Sequence, residues 1–127
     1  MAVLFEQQAA SALPAEQAYL EMLDTCDVYV GIIGFEYRAS GTDGLCAMHR
    51  EYLRAESRGM PILIFVKGQS GRDKDRDAKM QELFALIRDP HKGHTYRRFS
   101  NYQDLKERIR ESLLPTLEKR GLYTDNI

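Results

Sequence analysis

Apolar positions along the chain switch repeatedly between strand-like runs and helical stripes. Ala2 to Phe5 is a short apolar run that reads as a buried strand. Gln7 to Leu13 is a connector of polar and small residues. Pro14 suits the first position of a helix, where its missing N–H is not needed. Ala15, Ala18, Tyr19, Met22, Leu23 and Cys26 then fall on one apolar stripe, with Glu16, Gln17, Glu21 and Asp24 opposite. Val28, Tyr29, Val30, Ile32 and Ile33 run almost unbroken and are mostly β-branched, as in a central parallel strand covered on both faces. Glycines follow at Gly34, Gly41 and Gly44. Leu45, Met48, Tyr52 and Ala55 mark a second helix, which Gly59 ends with a left-handed cap.

Met60 to Val66 predicts a third strand, with Pro61 at its beginning, where a missing donor is tolerated. Lys67 to Asp77 is dense in charge and glycine and reads as a mobile surface loop. Met80, Leu83, Phe84 and Ile87 make a third helical stripe, ended by Asp89 and Pro90. Thr95 to Phe99 carries two arginines and predicts an edge strand. Ser100 with Gln103 forms a capping box ahead of a last helix bearing Leu105, Ile109, Leu113 and Leu117. Pro115 should kink that helix or end it one turn early, and Gly121 closes it. Four strand–helix units in alternation predict an α/β fold, a three-layer sandwich with a mainly parallel sheet of about four strands. Right-handed crossovers place helices on both faces. Ligands in such folds bind beyond the carboxyl ends of the strands. That rule singles out Glu6 to Gln8, Gly34 to Gly44, Lys67 to Asp77 and the turn after Phe99 as the candidate rim.

At 127 residues the chain is one domain, long enough to bury about two-thirds of its surface without disulfides or a metal. Eighteen Lys and Arg against 19 Asp and Glu give a net charge of -1, which argues against direct nucleic-acid binding by this domain. The longest apolar run, Met60 to Val66, is too short to cross a bilayer, and no membrane partner is expected. Cys26 and Cys46 form no CxxC pair and read as free thiols in a reducing cytoplasm. No zinc ligand set appears, and no metal or cofactor is expected.

Glu51 is the foremost candidate for chemistry. It shares a helix face with Leu45, Met48 and Tyr52, so it is expected near the rim and partly desolvated, which suits a nucleophile or general base. The competing reading is a structural carboxylate paired with Arg54 or Arg58. Glu6 and Glu36 also stand at strand ends and are candidates for a second acid. His49 is two positions from Glu51, and at about 100° per helical residue the two point to nearly opposite sides, so they do not form a dyad. His91 and His94 read as surface residues. Arg72, Lys74, Arg76, Arg97 and Arg98 are interleaved with Asp73, Asp75 and Asp77 and read as a solvated loop and edge rather than a positive rim. Gly31 and Gly34 match neither GxGxxG nor a P-loop, and a tight strand exit is the favoured reading.

The strings LFEQQAASALPAEQAYLEMLDTCDVYVGIIGFEY, REYLRAESRGMPILIFVKG, YRRF and LKERIRESLLPTLEKRGL resemble an uncharacterised bacterial domain family. That family is related to TIR domains and nucleoside 2-deoxyribosyltransferases, and the resemblance covers nearly the whole chain. It implies a flavodoxin-like fold and a place at the N-terminus of a longer protein. The companion would be an ATP-binding or DNA-binding module of the RecG-helicase-like (Schlafen/AlbA) type, or a NACHT-type ATPase. In the relatives a glutamate on the helix after the glycine loop is catalytic, and Glu51 matches it. Tyr37 and the Gly41 to Gly44 loop would line the pocket, with Glu6, Gly34 and Lys67 as further ligand-binding candidates. Two features depart from the family. Cys46 to His49 stand where acidic and Thr residues are usual. The family's first strand and helix precede the segment matching Ala2, and that strand is central, between the strands placed first and second here. The chain is therefore expected to be a fragment of a longer protein, or Ala2 to Phe5 takes that place, or a second subunit fills it.

Two functions follow as expectations. The first is a non-catalytic regulatory or interaction domain, 1–127, sensing a nucleotide-like ligand or forming a homodimer, with the companion module doing ATP- or DNA-linked work. The alternative is an N-glycosidase acting on nucleosides or NAD, with Glu51 as nucleophile and Glu36 assisting.

Overall fold

A computed structural model describes residues 3–5 and 15–121. Its elements follow the predicted alternation: β1 (Val3–Phe5), α1 (Ala15–Asp24), β2 (Val28–Ile33), α2 (Ala47–Ser57), β3 (Ile62–Lys67), α3 (Ala78–Ile87), β4 (Thr95–Phe99) and α4 (Tyr102–Lys119). A 3₁₀ turn, Ser70–Asp75, stands between β3 and α3. All four strands are parallel, in the order β1-β2-β3-β4. The architecture is α/β, with helices on both faces of the sheet, consistent with a flavodoxin-like sandwich.

The strand period of two sorts the sheet into two cores. Tyr29 and Ile33 of β2, with Ile62, Ile64 and Val66 of β3, face Leu23, Met48, Tyr52, Ala55, Leu83 and Phe84 from α1, α2 and α3. Val28 and Val30, with Leu63 and Phe65, face the other way and pack with Phe99 and Leu117, flanked by Leu105, Ile109 and Leu113 of α4. Each fully buried side chain of this kind contributes about 1.5–3 kcal/mol. The sequential strand order explains the asymmetry. Crossovers of one hand, all stepping the same way, stack α1 to α3 on one face, and only α4 crosses to the other. β1 pairs directly with β2, Val3 opposite Val28, so Val3–Phe5 itself takes the place next to β2 where the family's central strand was expected.

Several local expectations are corrected. Met22 is exposed although it lies on the predicted stripe of α1, whereas Leu23 is buried in the shared core and Cys26 packs against it. The side chains of residues 15–19 lie outside those described, as does the 7–13 connector. α2 starts after Leu45, because Cys46 is its N-cap and its Sγ accepts from the His49 amide at 3.4 Å. Met60 and Pro61 precede β3. The cap of α4 is Asn101 rather than Ser100. Asn101 accepts from the Asp104 amide at 2.9 Å, and the Asp104 carboxylate accepts from the Ser100 amide at 2.9 Å. α4 continues through Pro115 to Lys119, held by Leu117 in the core. Gly59 and Gly121 do carry the left-handed backbone expected of helix ends.

Gly31 is where a close approach requires glycine. A Cβ there would lie 2.7 Å from Met48 Cε and 3.1 Å from both Ile64 Cδ1 and the Tyr29 ring. At Gly34 an added Cβ meets nothing within 4 Å. Gly31→Val is therefore expected to lower the free energy of unfolding in urea by about 2 kcal/mol. Gly34→Ala should change it by less than about 0.5 kcal/mol. Equal effects of the two would contradict this packing.

Candidate functional site

The carboxyl ends of β2, β3 and β4 are joined by charge. The segment after β3, expected to be a mobile loop, is an ordered strap. Its 3₁₀ turn brings Arg76 back over the strand ends, where the residue is 3% exposed. Arg76 donates from Nη1 to the Gly34 carbonyl at 2.9 Å, and from Nη2 to the Lys67 carbonyl at 2.6 Å and Asp73 Oδ1 at 3.0 Å. Asp73 also receives a two-pronged bond from Arg98 on β4, at 3.0 and 2.8 Å. The Arg76 guanidinium stacks 4.6 Å from the Phe35 ring centroid. Downstream, the Asp77 amide donates to the Phe35 carbonyl at 2.8 Å, and the Asp77 carboxylate accepts from the Tyr37 amide at 2.8 Å. Arg76 and Arg98 are thus neither solvated charges nor an open positive rim. They close the rim over β3 and β4.

What remains open is the exit of β2. A shallow hollow of about 360 Å³ lies there, lined by Gly34, Glu36, Arg38, Ser40, Met48 and Met80 and bordered by the start of α2. Glu36 and Arg38 form an exposed pair at 2.7 Å. Arg50 shapes the wall. From α2 it donates to both Asp43 oxygens, to the Leu45 carbonyl at 2.7 Å and to the Ser40 carbonyl, so the glycine loop is folded onto the helix. This bond and the Leu45 amide hold the Asp43 carboxyl below its usual range. Gly41 and Gly44 turn the loop with φ of +80° and +75° and do not line the hollow.

Glu51 lies one helical turn further into α2, on the buried face with Met48, Tyr52 and Ala55, and is 3% exposed. The Tyr29 hydroxyl donates to its Oε1 at 3.1 Å. Arg54 and Arg58, the expected partners, instead bind Asp24 at the end of α1, at 2.6 and 2.9 Å. Glu51 does not line the hollow, so the described residues do not bring it together with Glu36 there. Tyr37 is also displaced from the expected pocket. Its hydroxyl shares a 2.8 Å hydrogen bond with His49 Nδ1, and both line a separate hollow of about 220 Å³ with Leu45, Lys79, Glu82 and Leu86. Burial pushes the Tyr37 hydroxyl up and the His49 imidazole down, favouring the neutral form of each. The Lys67 side chain is exposed, and Glu6 lies outside the described residues. His94, expected at the surface, is half-buried edge-on to Tyr52 and 3.2 Å from Glu56.

A family model described as a domain of unknown function, DUF4062, matches residues 1–114 of the 127. The chain belongs to the DUF4062 family. No curated protein and no solved structure matches it. No helix among the described residues of this DUF4062 domain is long and apolar enough to cross a membrane. Neither Cys26 nor Cys46 is in a disulfide.

Sequence reasoning missed Arg50, Asp73, Arg76 and Tyr29. Arg76 sits in RDKDRD, where every residue is charged, and no periodicity separates the buried guanidinium from its solvated neighbours. Tyr29 was legible as core, and its hydroxyl needed a polar partner inside. The only polar residue on the apolar face of α2, Glu51, was that signal.

Arg98 bonding, opposed by burial and helped by Arg76, holds the Asp73 carboxyl at about 2 against an ordinary 3.8. A depressed carboxyl stabilises the fold fully above its unfolded value and loses that contribution as pH falls through the folded one. The urea midpoint of the wild type should therefore drop between about pH 4 and pH 2. Asp73→Asn should lower stability at neutral pH by about 2–3 kcal/mol and flatten that drop. A variant with the same acid profile as wild type would contradict the linkage. Tyr29→Phe, which removes a buried donor to a carboxylate, should cost about 1–3 kcal/mol in the same assay.

Proposed function

We propose that this DUF4062 domain is a non-catalytic regulatory or interaction module of a larger bacterial cytoplasmic protein, related to TIR and nucleoside deoxyribosyltransferase domains. It senses a nucleotide-like ligand at the hollow beyond β2. A companion ATP-binding or DNA-binding module of the RecG-helicase-like type does the energy-linked work. The observation that carries this reading is the burial of Glu51: the residue is 3% exposed and its carboxylate accepts from Tyr29, away from the hollow that Glu36 lines. The strand order favours a shallow rim site over a deep catalytic crevice: the deep crevice of a doubly wound sheet opens where the order reverses, and β1-β2-β3-β4 contains no reversal among the described strands. Arg38 and the start of α2 give the hollow a surface favourable to a phosphate group.

The second reading, an N-glycosidase acting on nucleosides or NAD, keeps one observation in its favour. Glu51 is a desolvated carboxylate one turn below the glycine loop, at the position the resemblance makes catalytic. Incubation with NAD and with deoxynucleosides separates the two. The binding-module reading expects no released base, with nucleotide-dependent stabilisation in a thermal-shift titration that Arg38→Ala weakens. Base release by wild type that Glu51→Gln abolishes would overturn it in favour of the enzyme. Neither turnover nor stabilisation by any nucleotide would remove both.

A further inference from the structure

Three guanidiniums converge on one phenyl ring and one carboxylate where α3 meets the edge strand β4. Arg88 stacks 4.5 Å from the Phe84 centroid, Arg98 at 5.5 Å and Arg76 at 5.8 Å. Side chains on a helix lean toward its N-terminus, so Arg88, just after α3, reaches back along the helix past Phe84. All three approach Asp73: Arg98 at 2.8 Å, Arg76 at 3.0 Å and Arg88 at 4.0 Å. The other acid of the turn, Asp75, pairs with Arg72 at 3.3 Å. Three positive charges therefore share one negative charge.

The three are not equally satisfied. Arg98 is bound to Asp73 and to the Gly68 carbonyl. Arg76 is sealed, and its Nε is a buried donor with no partner among the described residues. The Arg88 guanidinium makes no hydrogen bond among the described residues, and 45% of the side chain is exposed. Its planar fork is thus fixed by the Phe84 ring, positioned beside the clasp and open to solvent. Cation–π contact holds a guanidinium in place without consuming its N–H donors. A partly desolvated excess of positive charge favours an anion, and the guanidinium fork matches oxyanion geometry.

We propose that Arg88 and the exposed edge of Arg98 form a binding site for a phosphate-type oxyanion, either a free ion or the phosphoryl group of a small molecule. The site is separate from the hollow beyond β2 and stands whether or not that hollow binds a nucleotide. Bound phosphate supplies the second negative charge that the Arg76–Asp73–Arg98 cluster lacks, so occupancy stiffens the strap between β3 and α3.

The test is a titration of the full chain with inorganic phosphate, pyrophosphate and adenosine monophosphate, each against sodium chloride at matched ionic strength. Thermal unfolding and the NMR signals of the arginine Nε–H groups are followed. Phosphate and pyrophosphate are expected to stabilise wild type beyond chloride and to shift the Arg88 and Arg98 signals. Arg88→Gln should weaken the apparent affinity about tenfold, as loss of a charged hydrogen bond does. Arg97→Gln, on the opposite face of β4, removes the same charge and should leave the affinity unchanged. Adenosine monophosphate binding with the same Arg88 dependence identifies a phosphoryl group, and its failure beside a phosphate response identifies the free ion. A wild-type response no greater than chloride, or equal weakening by the Arg88 and Arg97 variants, overturns the site. Loss of fold in Arg88→Gln is excluded by its unfolding curve in chloride, and Arg88→Lys, which keeps the charge but not the fork, is expected to bind between the two.

Discussion

The buried guanidinium of Arg76 is the contact on which the carboxyl end of this domain depends. Parallel strands end with carbonyl groups that need donors, and here one side chain serves the exits of both β2 and β3. Asp73 balances part of its charge and carries the connection on to β4 through Arg98. A buried ion pair gains little net free energy over apolar packing, but breaking one leaves a stranded charge. Such a clasp therefore specifies geometry more than it adds stability. It decides that the chain after β3 lies across the strand ends instead of leaving them open. Gly68, with φ of +90° and an added Cβ only 3.0 Å from Phe35, provides the turn that the path requires.

The remaining opening follows from that closure. With β3 and β4 covered, the exit of β2 is left between the glycine loop and the strap, and Arg50 holds the loop on the other side. Glu51 stays beneath, in the layer where Tyr29 supplies a hydroxyl. The two carboxylates of an acid–base pair would have to share a cavity. Glu36 instead stands in solvent beside Arg38, while Glu51 is sealed in the core. Binding at the rim and chemistry at Glu51 are thus different proposals about different layers of the molecule.

Most of the fold was legible because apolar periodicity is written by the core. β2 and β4 were bounded as observed, and the stripes of α2 and α3 were read as Leu45, Met48, Tyr52, Ala55, Met80, Leu83, Phe84 and Ile87, of which all but Leu45, ahead of α2, are buried. The place of Val3–Phe5 beside β2 was one of three alternatives, since a three-residue strand carries no register of its own. The errors fall where periodicity alone does not decide burial, capping or the structural use of a charge. Met22 kept the period of α1 but not its burial. Asn101 and Ser100 are both good caps, and the reciprocal bonds through Asp104 decide between them. The strap was misread because Arg, Asp, Lys and Gly in close succession describe a solvated loop equally well. Only tertiary partners, Phe35 and two strand-end carbonyls, bury Arg76. Of the candidate site, Gly34 and Glu36 were placed at the hollow, whereas Tyr37 was drawn to His49, a partner that no spacing rule connects to it.

Native-state hydrogen exchange over the strap tests the central claim most directly. The Asp77 amide bonds to the Phe35 carbonyl and the Arg76 amide to the Asp73 carbonyl only when the clasp is closed. In wild type both should exchange slowly, and in Arg76→Met both should lose protection while the Ile64 amide in β3 keeps it. Fast exchange of Asp77 and Arg76 in wild type, at rates of an open loop, would contradict the account.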